Sequence, residues 1–292
     1  WHPFLVEETA RVERWAMVAY RRFAELANRY PSSGVRMTRV REFFGDAMPP
    51  SWLERIQGRE VLNDADLPPG RSTGRGFEAP VIEMPVYLPW LERQLERAGC
   101  VFRDREIETL DEALDAAPYV VNATGLGAAA LTRDQTLRPM RGQVLRLDAA
   151  PHADDRSVIL DGGDPSGPLY IVPRDRDVVI GATAEPSDDM AVRDAETTSL
   201  LRRAHALSPG LTAASVESVA VGLRPWRPTI RLEHEARMRG SIFHCYGHGG
   251  AGVTLSWGCA EALVELVKTV TALTASRADH DAMQAPPPSS SA

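Results

Sequence analysis

Residues 246 to 254 read YGHGGAGVT, four glycines set between an apolar run, SIFHCY, and a helix-like one, WGCAEALVELVKTV. Glycine weakens strand and helix interiors alike, so four at one junction mark a place where the backbone must come close to something. A glycine turn feeding a helix N-terminus presents unpaired N–H groups and a positive dipole end, which suits an anionic or electron-rich ligand. No Lys-Ser/Thr pair follows, which argues against a triphosphate site. His244 and His248 are four apart but straddle a strand end and a turn, with no Cys or carboxylate read as completing a shell, so no metal is expected.

Around this junction lie 292 residues, 43% hydrophobic, enough for one large domain or two interleaved ones. A formal charge of −7 without a basic tract argues against a nucleic-acid or anionic-membrane surface. The apolar runs fall short of the ~20 residues a membrane helix needs. Cys100, Cys245 and Cys259 are too few for a disulfide framework and fit a reducing cytoplasm. The chain opens on Trp1, which suggests a processed, trimmed or incomplete polypeptide.

No internal repeat is present. Residues 4–30 are expected to be helical, with Val12, Trp15, Val18 and Phe23 at helical spacing. Residues 31–80, rich in Pro, Gly and charge, read as surface loops. YLPWLERQLERAGC puts Leu88, Leu91 and Leu95 on one helix face, VFRDREIETL alternates like a strand, and DEALDAA reads as a short helix. PYVVNAT is then a buried strand, followed by the short β runs GQVLRLD, SVIL, LYIVP and DVVIGAT, the last two joined by a hairpin-like RDRD. DAETTSLLRRAHAL is a helix stopped by Pro209-Gly210, and ASVESVAVGLRPW returns as a strand. The ending QAPPPSSSA is low-complexity. This order implies a mixed α/β chain, a parallel layer joined to an antiparallel sheet.

Two further stretches carry chemistry. VVNATGLGAAAL holds Gly125-x-Gly127-x-x-Ala130 after a strand, with Asp148 at about the spacing of a ribose-binding acid. It reads either as a nicotinamide fingerprint or as a turn that packs a helix on a strand. In GLRPWRPTIRLEHE, prolines hold Arg224, Arg227 and Arg231 on an extended backbone, and a fixed arginine suits a bidentate grip on a carboxylate. Arg231 reads as solvated; Arg224, flanked by the apolar VAVGL, reads as turned toward a site. Tyr170 in GPLYIVPR is, by itself, an ordinary strand aromatic.

Together, WHPF, Trp15, VVNATGLGA, RGQV, LYIVPR, GLRPWRPTIRLE and YGHGGAGVTLSWGCA resemble, in order and spacing, the D-amino-acid oxidase family of flavoproteins, which includes the D-aspartate oxidases. The resemblance runs to about residue 270. It implies FAD held by Gly249, Gly250, Gly252, Val253 and Thr254 against the flavin, by Thr124 and Gly125, by Ile107 on the adenosine half, and by Arg141, Gly142 and Gln143 nearby. The glycines of the opening stretch would then let the backbone meet the cofactor. The nicotinamide reading recedes accordingly. Substrate binding is implied for Arg224 as ion pair, Tyr170 as hydroxyl donor, and Gly250. The implied reaction is hydride transfer from a D-amino acid to flavin, with no catalytic base required. Its products are a 2-oxo acid, ammonia and, through molecular oxygen, hydrogen peroxide.

The resemblance also implies a discontinuous Rossmann-like FAD domain, 85–145 with 226–275. An antiparallel-sheet substrate domain, 1–84 with 146–225, interleaves with it, and 276–292 form a disordered tail. Two departures stand out. Ser166 occupies the place where some members carry a second, lid tyrosine. The family's opening G-x-G-x-x-G unit, roughly 50 residues of βαβ structure, would precede Trp1, so an N-terminally incomplete FAD domain with weakened FAD affinity is expected. Alternatives are a related oxidase of glycine or a secondary amine, and an inactive fragment. Oligomeric state is not legible, a homodimer being one option, and neither is the preferred side chain.

Overall fold

The computed structural model describes residues 1–45, 50–148, 156–181 and 183–284, with side chains described through 273. Thr9 caps the first helix, α1 (Ala10–Arg29), its hydroxyl accepting from the Val12 amide, and Pro31 follows the helix end. Val12, Trp15, Ala16, Ala19, Phe23 and Leu26 form its buried stripe, which packs on the long C-terminal helix and on the sheet.

Residues 31–80, expected as loops, contain two ten-residue strands. These are β1 (Val35–Phe44) and β3 (Thr73–Ile82), antiparallel in full register from Val35↔Ile82 to Phe44↔Thr73, with the short β2 (Glu60–Val61) beyond. Thr38, Val40, Glu42 and Phe44 alternate onto one buried face of β1. In α2 (Met84–Arg97) the buried face is Tyr87 and Trp90, whereas Leu88 is 54% exposed. Of the expected leucine stripe, Leu88 and Leu95 are exposed and Leu91 alone packs partly against these aromatics, which offer more area to bury. VFRDREIETL forms no strand and leads into α3 (Leu110–Ala116).

Then come β4 (Tyr119–Asn122), the turn Gly125–Gly127 and α4 (Ala128–Thr132). Among described pairings β4 meets only β11, leaving Tyr119 and Val121 exposed, so this strand is an edge and not buried as expected. There follow β5 (Arg138–Asp148), β6 (Val158–Asp161), β7 (Leu169–Pro173), β8 (Val178–Gly181), β9 (Glu185–Pro186) and α5 (Asp194–Leu207). The hairpin across RDRD is present, Pro173 opposing Val178. The chain closes with β10 (Ser215–Arg237), β11 (Gly240–His248) and α6 (Gly252–Gln284). The helix thus enters the stretch expected as a tail, and 285–292 lie outside the described residues.

Among the described residues, one sheet of eleven strands runs β2-β3-β1-β6-β7-β8-β5-β10-β11-β4, with β9 on β5. It is mostly antiparallel; β1–β6 and β11–β4 are parallel. β10 spans both proposed parts, pairing with β5 from Ser215 to Trp226 and with β11 from Trp226 to Arg237, with an irregularity between Trp226 and Arg231. The two prolines of RPWRP fall at this changeover, where ladder donors are not needed. Among the described residues no helix is long and apolar enough to cross a membrane.

Candidate active site

The glycine turn is built as its sequence requires, with one addition. Gly247 (φ 87°) and Gly249 (φ 55°) occupy the left-handed region. A Cβ on Gly249 would lie 2.0 Å from the Leu5 carbonyl oxygen, and one on Gly250 would lie 2.7 Å from the Phe4 ring. Within the chain, these two glycines therefore admit the WHPFL segment. That segment is pinned to the start of α6: Trp1 Nε1 donates to the Thr254 carbonyl (3.1 Å) and Thr254 Oγ1 donates to the His2 carbonyl (3.0 Å). The Gly249 amide donates to the Pro225 carbonyl (2.8 Å), fixing the turn to β10 one residue from Arg224.

Two cavities meet here. The larger, about 360 Å³, is lined by Trp1, Val40, Leu160, Tyr170, Val253 and Thr254 among others. The smaller, about 220 Å³, has as its polar lining His2, Glu42, Asp161, Tyr170 and Arg224, with Gly250 beside them. Tyr170 of β7, His2 and Leu160 border both. The structure thus brings Arg224, Tyr170 and Gly250 together around the smaller cavity, and Val253 and Thr254 around the larger.

Arg224 and Tyr170 each rest over a glycine. A Cβ on Gly142 of β5 would lie 2.1 Å from Arg224 Nη1, and one on Gly181 of β8 would lie 2.5 Å from Tyr170 Cζ. Arg224 Nη1 donates to the Thr183 carbonyl (3.0 Å), and the guanidinium stands 5.7 Å from the Phe4 ring centroid. Among the described residues no bond is made by its Nη2 or Nε. Burial lowers the Arg224 pKa, opposed by Tyr170, and burial raises the Tyr170 pKa, opposed by Arg224. Guanidinium remains charged and phenol remains protonated near neutrality, so both are donors facing the same space.

Glu42, from the stretch that read as loop, and Asp161 of β6 complete the polar lining. Glu42 of β1 is only 5% exposed; its Oε1 meets His2 Nε2 at 3.0 Å, and its Oε2 has no partner among the described residues. His2 stacks edge-on against Trp52. Asp161 of β6 is gripped by Arg71 through two bonds of 2.6 and 2.7 Å. Hydrogen bonding to Asp161 outweighs desolvation and raises the Arg71 pKa.

Arg141 and Gln143 sit on β5 but outside both cavity linings. Arg141, fully buried, donates Nη1 to both oxygens of Glu196 (2.8 and 3.0 Å), Nε to the Asp189 carbonyl (2.9 Å), and Nη2 to Gln143 Oε1 (3.1 Å) and the Ala191 carbonyl. Gln143 Nε2 donates to the Arg193 carbonyl and Thr197 Oγ1. The pair fastens α5 and its approach to β5. Ile107 lies in the extended segment before α3, half-buried. Thr124 Oγ1 donates to Asn122 Oδ1 (2.8 Å); Asn122 Nδ2 meets His244 Nδ1 (3.2 Å), and His244 Nε2 meets Glu235 (3.0 Å). Both ring nitrogens of His244 are thereby engaged. His248 instead lies near Cys245 and Cys259, all three ligand atoms within 4.8 Å of one another. The hydrogen bond with Cys259 lowers the Cys245 thiol to about 5, burial opposing and His248 assisting, while the same bond and burial raise Cys259.

Around the start of α6 and the ATG turn, glycines face open space. The nearest atom to a Cβ on Gly252 would be 3.9 Å away, and on Gly125 (φ 58°) 4.0 Å. Open glycines at a helix N-terminus bordering an apolar-walled cavity fit a flavin's planar, polar-edged ring. Sequence reasoning did not single out Glu42, Asp161, Gly181 or Thr183. Only the β1 alternation of Thr38, Val40, Glu42 and Phe44 carried a signal.

Comparison with known proteins finds relatives over nearly the whole described chain. The family model described as FAD dependent oxidoreductase matches residues 1–266. The D-amino-acid oxidase of Rubrobacter xylanophilus is 42% identical over 265 residues, covering 89% of this chain and 80% of that protein. The D-amino-acid oxidase of Streptomyces coelicolor is 36% identical over 270 residues, covering 91% and 82%. Glycine oxidase from Geobacillus kaustophilus shares the fold, with a TM-score of 0.74 at 19% identity over 91% of this chain and 82% of that one.

Proposed function

The chain belongs to the FAD dependent oxidoreductase family, and on that premise we propose that it oxidises D-amino acids to 2-oxo acids, ammonia and hydrogen peroxide. The observation that carries the reading is the Arg224–Tyr170 pair, two donors facing the cavity that adjoins the start of α6. FAD, when bound, supplies the hydride acceptor, and Gly252, Val253, Thr254, Thr124 and Gly125 are the residues that would hold it.

Arg224 binds the substrate α-carboxylate through the guanidinium edge left free by Thr183, and the Tyr170 hydroxyl donates to the same group. Two donors from different strands fix both position and rotation of the carboxylate, which orients the α-hydrogen. The apolar walls, Val40 and Leu160 among them, exclude water from the reacting face. No side chain of this chain is required to accept the α-hydrogen. The imino acid hydrolyses in water, and molecular oxygen is the final acceptor. A cytoplasmic setting fits the three unpaired cysteines, and a homodimer is the assembly that sedimentation would test.

The test is the visible spectrum of the purified chain with FAD before and after anaerobic D-alanine. The expected outcome is a bound-flavin band that bleaches. A band that persists with every D-amino acid supplied would overturn the reading.

A further inference from the structure

The smaller cavity has more polar groups than an α-carboxylate needs. Arg224 and Tyr170 serve that carboxylate, leaving Glu42, His2 and Asp161 on the remaining lining. Asp161 is already neutralised by the two-bond grip of Arg71. Glu42 is not so balanced. Its Oε1 is held by His2, but Oε2 is buried and has no partner among the described residues. A carboxylate oxygen that deep is costly unless a donor reaches it, and the cavity is the route by which one can arrive.

We propose that Glu42, oriented by His2, is a subsite for a cationic side-chain terminus, so that the preferred substrates are basic D-amino acids such as D-lysine and D-arginine. The inference rests on the D-amino-acid reading above and deepens it. The cavity then carries opposite charges for opposite ends of one molecule: Arg224 for its carboxylate, Glu42 for its ammonium or guanidinium. An acidic side chain would meet Glu42, so D-aspartate is disfavoured.

The first measurement needs no variant: kcat/KM of the FAD-loaded enzyme for D-lysine against D-norleucine, equal in chain length but lacking the charge. The inference expects a ratio of at least about ten, one good charge-assisted contact being worth that much. Glu42→Gln, close to the same shape, should lower the ratio about tenfold, chiefly through KM for D-lysine. A wild-type ratio at or below one overturns the inference. So does a Glu42→Gln enzyme in which both substrates fall equally, since Glu42 would then serve the α-amine common to all. An enzyme inert toward every D-amino acid overturns the parent reading as well, whereas activity on D-norleucine with indifference to charge overturns this inference alone.

Discussion

Two arginines on neighbouring strands, Arg141 of β5 and Arg224 of β10, divide the molecule's chemistry between them. Arg141 is fully buried with each nitrogen bonded: a carboxylate, a side-chain amide and two carbonyls surround it. Arg224 is half-buried, tied by one bond to Thr183, and faces a cavity. A saturated guanidinium has nothing left for a ligand and serves as a rivet between elements. An unsaturated one, partly desolvated, is poised to pair with an anion that comes and goes. On the proposed function, what separates the structural charge from the substrate-binding one is the count of bonds already made.

The largest effect should come from removing the rivet. Arg141→Met would take the donor from the Asp189 and Ala191 carbonyls and leave Glu196 with only Thr183 and Arg193, and a loss of about 3 kcal/mol is expected by chemical denaturation. An unchanged midpoint would break the comparison. Next is Arg224→Met, which should lower kcat/KM for a D-amino acid about a hundredfold. Its denaturation midpoint should stay close to wild type, since only the Thr183 bond and the contact with Phe4 are lost. A large midpoint shift would make Arg224 a rivet too.

Gly142→Ala tests the seat of the working arginine. A Cβ 2.1 Å from Nη1 must push the guanidinium aside, and a rise in KM of about tenfold is expected from the disturbed ion pair. Finally, the rivet has a pH signature. Burial raises the Glu196 pKa, but hydrogen bonds from Arg141 and Thr183 outweigh it and hold the carboxyl below its ordinary value. A depressed folded-state pKa gives stability that is complete above the ordinary carboxylate value and lost as pH falls through the folded one. The stability gap between wild type and Arg141→Met should therefore be widest near neutrality and narrow in acid; a gap that widens in acid would contradict the assignment.

The same distinction explains what was legible in the sequence. The placement of Arg224 on a cavity was readable from the proline-spaced RPWRP run, and the glycine turn before α6 from its glycines, because both depend on local backbone demands. The roles of Arg141 and Gln143 were not readable, since their partners lie about 50 residues away on the approach to α5. Glu42 was hidden for another reason. VRMTRVREFF carries four charges in ten residues and looks like a surface, yet it pairs with β3 on one side and β6 on the other. Strand propensity depends on neighbours more than on the residues themselves. Leu88 and Leu95 of α2 misled in the opposite sense, since Tyr87 and Trp90, with Leu91 beside them, took the core.

β10 supplies one more consequence. Its first half is laced to β5, its second to β11, and the Pro225 carbonyl between them anchors the Gly249 amide. A single strand thus acts as a ruler shared by the carboxylate clamp and the glycine turn, whereas Glu42 is carried by β1, four strands away from β5 along the sheet. A one-residue insertion or deletion in β10 ahead of Arg224 would turn it to the other face and, on the proposed function, weaken every substrate alike. If Glu42 is the side-chain subsite proposed above, changes on β1 would alter which side chain is welcome without disturbing the register that sets Arg224.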